Sequence, residues 1–523
     1  MDAYEYQSAS YIDLVTKCLS VALLVAITYL LWKMLSERTS SHQSRPPGNT
    51  KTIPGPSGLP IIGNAHKLGP DPHKYFLDLA EQYGDVFQIK LGRHKVVVLN
   101  KSTAIHQALV TQTIEFAGRP AFPGFLAVLS VRGGGIGFHS YDEGWKVQRD
   151  MINKAFRDFS HGSQVGIVES QVTAEANELI KFVLKGKESN SFEPKPILRI
   201  ALVNTMTNLL FGVRRGLDHP DLQELIDANL RSLEASANGN VVNFLPGLKG
   251  ILGSKMRNIE STSRHTKDLV DVYVDESWQN YQKDSKQSIL HNLISISKDI
   301  DIEKRETLKL TNQMIKAAVY DLFGAGYETV STTLMWTFLY LVKFPDLQRQ
   351  LQDEIDNVVG RDRLPTLADR DKLPLTEAFI AEVFRHVSVV PLVVPHTTTQ
   401  DTILGGGYEY CIPKDTIVFM SLYSIHKDPN QWVDPETFNP TRFLAEDGPG
   451  LDKKKVDSVM PLGAGCRRCV GVNIAPIQLF LYTSICLHQC SFKSSRGQPL
   501  SLDGITTPIT VQPQNYAIKM ERR

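Results

Sequence analysis

Pro461-Leu462-Gly463-Ala464-Gly465-Cys466-Arg467-Arg468-Cys469-Val470-Gly471 is the stretch on which the fold turns. Glycines at 463, 465 and 471 let the backbone approach a flat surface closely. The apolar run that follows, to about Leu487, predicts a helix opening just after Cys469. The positive end of a helix aimed at the sulfur favours thiolate, the form that binds metal. Arg467 stands ready to pair with an anion. Two other readings fit the same cysteine. Cys466-x2-Cys469 followed by Cys486-x3-Cys490 approximates zinc-ribbon spacing, and a buried cysteine can simply be inert. Against zinc, Cys486 and Cys490 lie in the apolar run, and Cys466 is flanked by Gly and Arg.

Three further constellations lie upstream. Gly324-Ala325-Gly326-Tyr327-Glu328-Thr329 falls inside an apolar segment from Thr311 to Lys343, closed by Pro345, which predicts a core-crossing helix. A carboxylate and a hydroxyl are costly to bury there without a use. The threonine hydroxyl can bond the carbonyl one turn back, and Gly326 eases a local widening, leaving a notch for oxygen and a water. Glu328 and Thr329 then form an acid–alcohol pair for moving protons. Glu382 and Arg385 share a helix face, with Arg442 supplied by the later block Phe438-Asn439-Pro440-Thr441-Arg442-Phe443. Trp145 and Arg149, four apart, can both donate to a carboxylate.

Taken together these residues resemble the cytochrome P-450 superfamily. Gly465, Arg467, Cys469 and Gly471 match its Phe-x-x-Gly-x-Arg-x-Cys-x-Gly pattern, with Leu462 in place of Phe. Glu382, Arg385 and Arg442 match its structural brace, with Thr441 where Glu is usual. The stretches FGAGYETVST, EAFIAEVFRHVSVVPLVVPHTTTQDT and FAGRP resemble the microsomal branch that holds the aryl-hydrocarbon hydroxylases and the steroid 17α- and 21-hydroxylases.

The resemblance implies haem b with Cys469 as thiolate ligand, the ligand type that favours O–O cleavage. It implies cofactor contacts at Gly465, Gly471 and Arg467, with Trp145, Arg149 and His396 toward the haem propionates. Thr329 and Glu328 become the catalytic proton relay. The substrate pocket is expected to draw on Phe122, Phe125, Leu245, Ala318, Leu322, Gly326, Val390, Val394 and Thr507. These positions are mostly apolar, which suits a flat lipophile such as a polycyclic aromatic or a steroid. The implied activity is a monooxygenase inserting one atom of O2, the alternative being a haem-thiolate isomerase or sensor that does not turn over oxygen.

No GxGxxG in strand–helix context and no phosphate loop is present, and the GGGIG run at 133–137 misses the spacing. The chain therefore does not obviously bind its own nicotinamide nucleotide, and the resemblance implies electrons from NADPH through a partner reductase, with cytochrome b5 as a further candidate partner. Arg468, Lys146 and Lys453-Lys454-Lys455 offer a basic docking face.

The N-terminus points to a membrane. Residues 18–32 carry no charge, and 12–35 form a mainly apolar stretch of 24 residues, about 36 Å as a helix. Acidic residues precede the uncharged core, while Lys33, Arg38, Arg45 and Lys51 follow it, so the rest of the chain is expected in the cytosol, and the resemblance to the microsomal branch implies the endoplasmic reticulum membrane. The Pro- and Gly-rich IPGPSGLPIIGN at 53–64 reads as a stiff connector. The expected division is anchor 1–35, connector 36–64 and haem-thiolate domain 65–523.

The whole chain has 523 residues, with 57 Lys plus Arg against 56 Asp plus Glu. That balance gives no bulk electrostatic drive toward nucleic acid, and six cysteines exclude a disulfide scaffold. Beyond the anchor the chain is expected to be mainly α with small β-sheets: a helix ending at Gly84, strands in FQIKLG and KVVVLN, and strands again near 388–420 and 505–520.

Overall fold

The computed structural model describes residues 15–29, 31–32, 51–132, 134–160, 164–185, 191–238, 244, 253–282, 288–308, 310–495 and 500–523. Helices dominate, with small sheets at one side. The helices that place the site are α1 (Pro72–Tyr83), α2 (Glu143–Ser160), α3 (Val165–Lys185), α4 (Pro194–Phe211), α5 (Pro220–Asn238), α6 (Gly253–Gln279), α7 (Asn312–Lys343), α8 (Pro374–Val387) and α9 (Ala475–Gln489).

The long helix α7 is the axis of the core. Thr311 precedes it in extended conformation, and every residue from 330 to 342 is buried. It ends at Phe344 (φ −120°, ψ 72°) because a residue before proline is pushed out of the helical region. Helices α4, α8 and α9 pack along it, and the α5–α6 pair crosses its first half. Thr329, Thr333 and Thr337 each bond the carbonyl four residues back, at 2.9 Å. Helix geometry continues unbroken through 324–329, so the expected widening at Gly326 does not occur. The reason is packing: a Cβ on Gly326 would stand 2.5 Å from the terminal methyl of Met206 on α4. The glycine admits a neighbouring helix instead of opening a notch.

Strands β1 (Val86–Leu91), β2 (His94–Leu99), β3 (His396–Thr397) and β4 (Ile417–Met420) form one sheet in the order β1-β2-β4-β3. Strand β2 pairs antiparallel with β1 and parallel with β4, Val96 lying opposite Ile417. His396 lies opposite Val418, which carries its ring into the interior. A hairpin of β5 (Gly504–Thr506) and β6 (Val511–Pro513) turns through Thr507 and reaches α7, where Trp336 Nε1 donates to the Val511 carbonyl at 2.8 Å. The Pro- and Gly-rich segment at 53–64 lies along β1. Gln88 N–H donates to the Pro54 carbonyl at 2.7 Å, Lys90 N–H to Asn64 Oδ1 at 2.8 Å, and a Cβ on Gly55 would collide with the Gln88 carbonyl oxygen.

Residues 15–29 and 31–32 are helical, and Leu19, Val21, Leu23, Leu24 and Val25 are exposed. Among the described residues no helix is long and apolar enough to cross a membrane. Positions 12–14, 30 and 33–35 of the expected span lie outside the described residues.

Burial holds three histidines, His73, His386 and His426, down to about 4. Unfolded, each titrates near 6.5. Their neutral forms are therefore native above that value, and between the two values the unfolded chain binds up to three more protons. Stability is expected to fall as pH drops from about 6.5 toward 4, with a slope approaching about 4 kcal/mol per pH unit. Urea midpoints at pH 7 and pH 5 check this; equal midpoints would contradict it.

Candidate haem-thiolate site

The cysteine loop folds as its glycines require. Gly465 has φ +68°, and a Cβ there would lie 1.7 Å from the Leu109 carbonyl oxygen and 2.6 Å from Thr113 Oγ1. Only glycine lets the loop sit this close to the segment Gln107–Thr111, itself a rare π-helical turn. Gly465 thus serves a protein–protein approach in this structure, where a ligand approach was expected. The Cys466 N–H donates to Thr113 Oγ1 at 2.9 Å, and its thiol faces the Thr113 carbonyl at 3.6 Å. Cys486 and Cys490 are buried, and among the described residues no three ligating side chains converge as a metal site.

Cys469 is different. Its N–H bonds the Leu462 carbonyl at 2.8 Å. Its side chain is exposed. Burial pushes its thiol up, while the Gly471 N–H and the charges of Arg149 and Arg468 pull it back. A Cβ on Gly471 would lie 3.6 Å from the sulfur, so that flank stays clear. The helix expected directly after Cys469 opens as a 3-10 turn, Val470–Asn473, and becomes α-helical only at Ala475. Pro476 suits the first turn of a helix and sets that start.

A group of cations gathers nearby. Asp142 Oδ1 accepts the Trp145 N–H at 2.6 Å and so starts α2, which presents Trp145 and Arg149. The Arg467 guanidinium lies 3.8 Å over the Trp145 ring, and that of Arg149 lies at 5.9 Å. The Trp145 indole N–H, expected to reach a carboxylate, is spent on the Ile136 carbonyl at 3.0 Å. Arg467 donates to the carbonyls of Ala117, Ile136 and His139. Gly118 exchanges two backbone hydrogen bonds with Thr397, both 3.0 Å, which brings Arg119 beside His396. Sequence reading missed Arg119, although it quoted FAGRP; nothing local separates this arginine from a surface one.

Among the described residues Arg119, Arg149 and Arg467 form no ion pair with a carboxylate. Burial lowers Arg467 to about 10, with Arg149 adding to the effect, and it lowers Arg119 well below its ordinary value, with Arg467 adding. His396 is fully buried and neutral, its Nδ1 2.6 Å from the Phe116 carbonyl. Arg149 Nε and His396 Nε2 have no partner among the described residues. Half-buried cations without a counter-ion lose part of their hydration uncompensated, so this cluster suits an anionic ligand.

On α7, Asp321, Ala325 and Thr329 lie one turn apart. Ala325 is exposed and the other two half-buried, in the middle of a buried helix. This row borders open space, and of the expected pocket positions Gly326 is likewise half-buried. Ala318 and Leu322 are sealed in the core at 1% and 5% exposure, and Gly326 faces Met206. Glu328 points elsewhere: its Oε1 accepts Arg199 Nη2 at 2.9 Å and Gln512 Nε2 at 2.7 Å.

An aromatic group stands on the far side. Phe122 lies 5.3 Å from both Phe125 and Phe244, and Phe125 lies 4.3 Å from Phe138. Phe138 was not anticipated, and Leu245 lies outside the described residues. Val390 packs against the core, Val394 is half-buried, and the Thr507 hydroxyl closes its own turn onto the Thr510 carbonyl at 2.8 Å.

The brace residues do meet. Arg385 makes a bidentate pair with Glu382 at 2.7 and 2.8 Å, both fully buried, and Arg442 Nε reaches the same carboxylate at 3.1 Å. Lys453 and Lys454 are exposed, while Lys455 turns toward Glu446 and Asp452.

Comparison with known proteins shows the family. The family profile for cytochrome P-450 matches residues 53–520. A chicken protein, cytochrome P-450 1A5, is 34% identical over 509 residues, covering 96% of this chain and 93% of its own. Human cytochrome P-450 1B1 is 34% identical over 522 residues, covering 97% and 93%. A solved zebrafish cytochrome P-450 with progesterone superposes with a TM-score of 0.75 at 30% identity, covering 86% of this chain and 99% of that one. The chain belongs to the cytochrome P-450 family and is an oxidoreductase, a monooxygenase of the haem-thiolate type.

Proposed function

We propose that this chain oxygenates a flat, lipophilic substrate, an aromatic polycycle or a steroid-like molecule, with electrons from NADPH delivered by a membrane-bound reductase and cytochrome b5 as an auxiliary donor. The observation that carries the reading is Cys469, exposed beside three half-buried guanidiniums that form no ion pair among the described residues. Haem b fits these residues: Cys469 would ligate the iron, and Arg119, Arg149, Arg467 and His396 would hold the two propionates. When bound, haem supplies the activation of dioxygen.

The remaining work falls to the chain. Gly471 keeps the flank of the sulfur open, and its N–H stabilises the thiolate. Ala325 leaves the α7 wall smooth beside Thr329, and Phe122, Phe125, Phe138 and Phe244 give the opposite wall faces on which a planar molecule stacks. These apolar walls exclude water. Thr329 holds the Ala325 carbonyl at 2.9 Å in the absence of substrate, and rotation of that hydroxyl offers a proton at the hollow. Glu328 holds Arg199 and Gln512 on Oε1, and its Oε2, buried and without a partner among the described residues, is the oxygen left to carry a proton.

The zebrafish relative was solved with progesterone, which suits the steroid arm of this proposal. The exposed apolar helix at 15–29 suits an N-terminal anchor in the endoplasmic reticulum membrane, with the catalytic domain cytosolic and the segment at 36–64 as connector. Exposed Arg468, Lys453 and Lys454 suit an acidic reductase surface.

A panel of planar aromatics and steroids, scored by NADPH-dependent oxygenated product in a reconstituted system, tests the reading; no product from any of them would reject it in favour of a non-oxygenating role. Thr329→Ala is expected to raise peroxide released per NADPH severalfold while substrate binding persists. Unchanged coupling would remove Thr329 from the proton path.

A further inference from the structure

The glycines at 134–137, unfit for a nucleotide loop, shape a different contact. Gly134 and Gly135 have φ of +123° and +132°, conformations that strain any L side chain. A Cβ on Gly135 would stand 2.6 Å from Asp321 Oδ2. With that contour, the N–H groups of Ile136 and Gly137 both donate to Asp321 Oδ2, at 2.8 and 3.0 Å.

The other edge of the same backbone faces the cations. The Ile136 carbonyl accepts Trp145 Nε1 at 3.0 Å and Arg467 Nη1 at 3.4 Å. The Gly137 carbonyl accepts Arg119 Nε at 2.9 Å, and the His139 carbonyl accepts Arg467 Nη2 at 2.9 Å. The peptide group between Ile136 and Gly137 therefore has a carboxylate at its N–H end and a guanidinium at its C=O end. A peptide dipole is positive at N–H and negative at C=O, so both charges sit at matched ends, and hydrogen bonds in series strengthen one another.

We propose that Asp321 is a positioning residue for the cofactor-binding cluster: through the single peptide 136–137 it acts as the relayed counter-ion of Arg467, and through the next carbonyl it fixes Arg119. Asp321 lies one turn before Ala325 on the open row of α7. A substrate that shifts this row therefore also shifts the guanidiniums that meet the haem's anionic edge. The inference rests on the reading of Arg119, Arg149 and Arg467 as the seat of the propionates.

The test uses the full-length, haem-loaded protein and follows haem transfer to excess apomyoglobin. Asp321→Asn is expected to speed transfer at least tenfold and to lower the haem reduction potential, because the guanidiniums drift from the porphyrin edge. Loss of the carboxylate charge alone would raise the potential. Gly135→Ala breaks the same joint from the loop side and is expected to give the same two changes; it carries the test if Asp321→Asn does not fold. Combining Asp321→Asn with Arg119→Lys should be no faster than the faster single variant, since both act on one chain of contacts. Asp321→Asn with an unchanged transfer rate, or a double variant whose effects multiply, would overturn the relay. If Arg119→Lys and Arg467→Lys speed transfer while Asp321→Asn does not, the relay alone fails. If neither arginine variant changes transfer, the propionate reading fails, and the relay with it.

Discussion

Cys469→Ser is expected to abolish the thiolate band in the carbon monoxide difference spectrum of the reduced protein, along with all oxygenation, while Cys466→Ser keeps both. The two sulfurs are three residues apart and lie in different surroundings. Cys466 is tied to Thr113 through its own N–H and thiol. Cys469 faces open space, with the Gly471 amide and two arginine charges favouring its anion. A serine hydroxyl has the same reach but is a poor donor to iron, and it supplies none of the electron density that a thiolate gives. Loss of the band from Cys466→Ser alone would transfer the ligand role to that residue.

The second large effect is on stability. Glu382→Ala leaves Arg385 buried with no countercharge, and Arg385 is fully inaccessible. Removing one partner of a buried pair costs about 3–5 kcal/mol, a large part of the roughly 5–15 kcal/mol that a domain has. Little soluble protein is expected from this variant at 37 °C, and any that is recovered should show a sharply lowered urea midpoint. Arg385 also donates to the carbonyls of His426 and Pro435, so it pins the segment after β4 as well as α8. Arg442→Ala is expected to cost less, because Arg442 is partly accessible and Glu382 keeps its bidentate partner. A wild-type midpoint for Glu382→Ala would show that the brace does not hold the fold.

How much of this was legible in the sequence depended on the range of the interaction. The ends of α7 and α1 and the β1–β2 turn follow from Pro345, Gly84 and Gly92, whose effects are local, and each lies where the sequence reading put it. Cys469 was singled out through the family resemblance, since spacing alone left zinc and an inert thiol open. Which face of α7 meets open space was not legible. Helical periodicity shows which residues share a face, but all faces of this helix are apolar, so nothing in the chain says which of them meets α4. Met206 against Gly326 decides that, across 120 residues of sequence. Glu328 looked like a free acid because its partners, Arg199 and Gln512, come from distant segments. Arg119 and Asp321 were missed for the same reason: each acquires its role only when the 134–140 loop is laid between them.

On the proposed seating of haem, the residues that hold it also fix when it can enter. They come from positions 119, 149, 396 and 467, and the sulfur from 469. At about 5–20 residues per second of translation, the first arginine leaves the ribosome some tens of seconds before the last. Until then the nascent chain has one wall of the seat and no ligand for the metal. Porphyrin insertion is thus confined to the end of synthesis or later, and a chain truncated anywhere before residue 469 has no route to the loaded form.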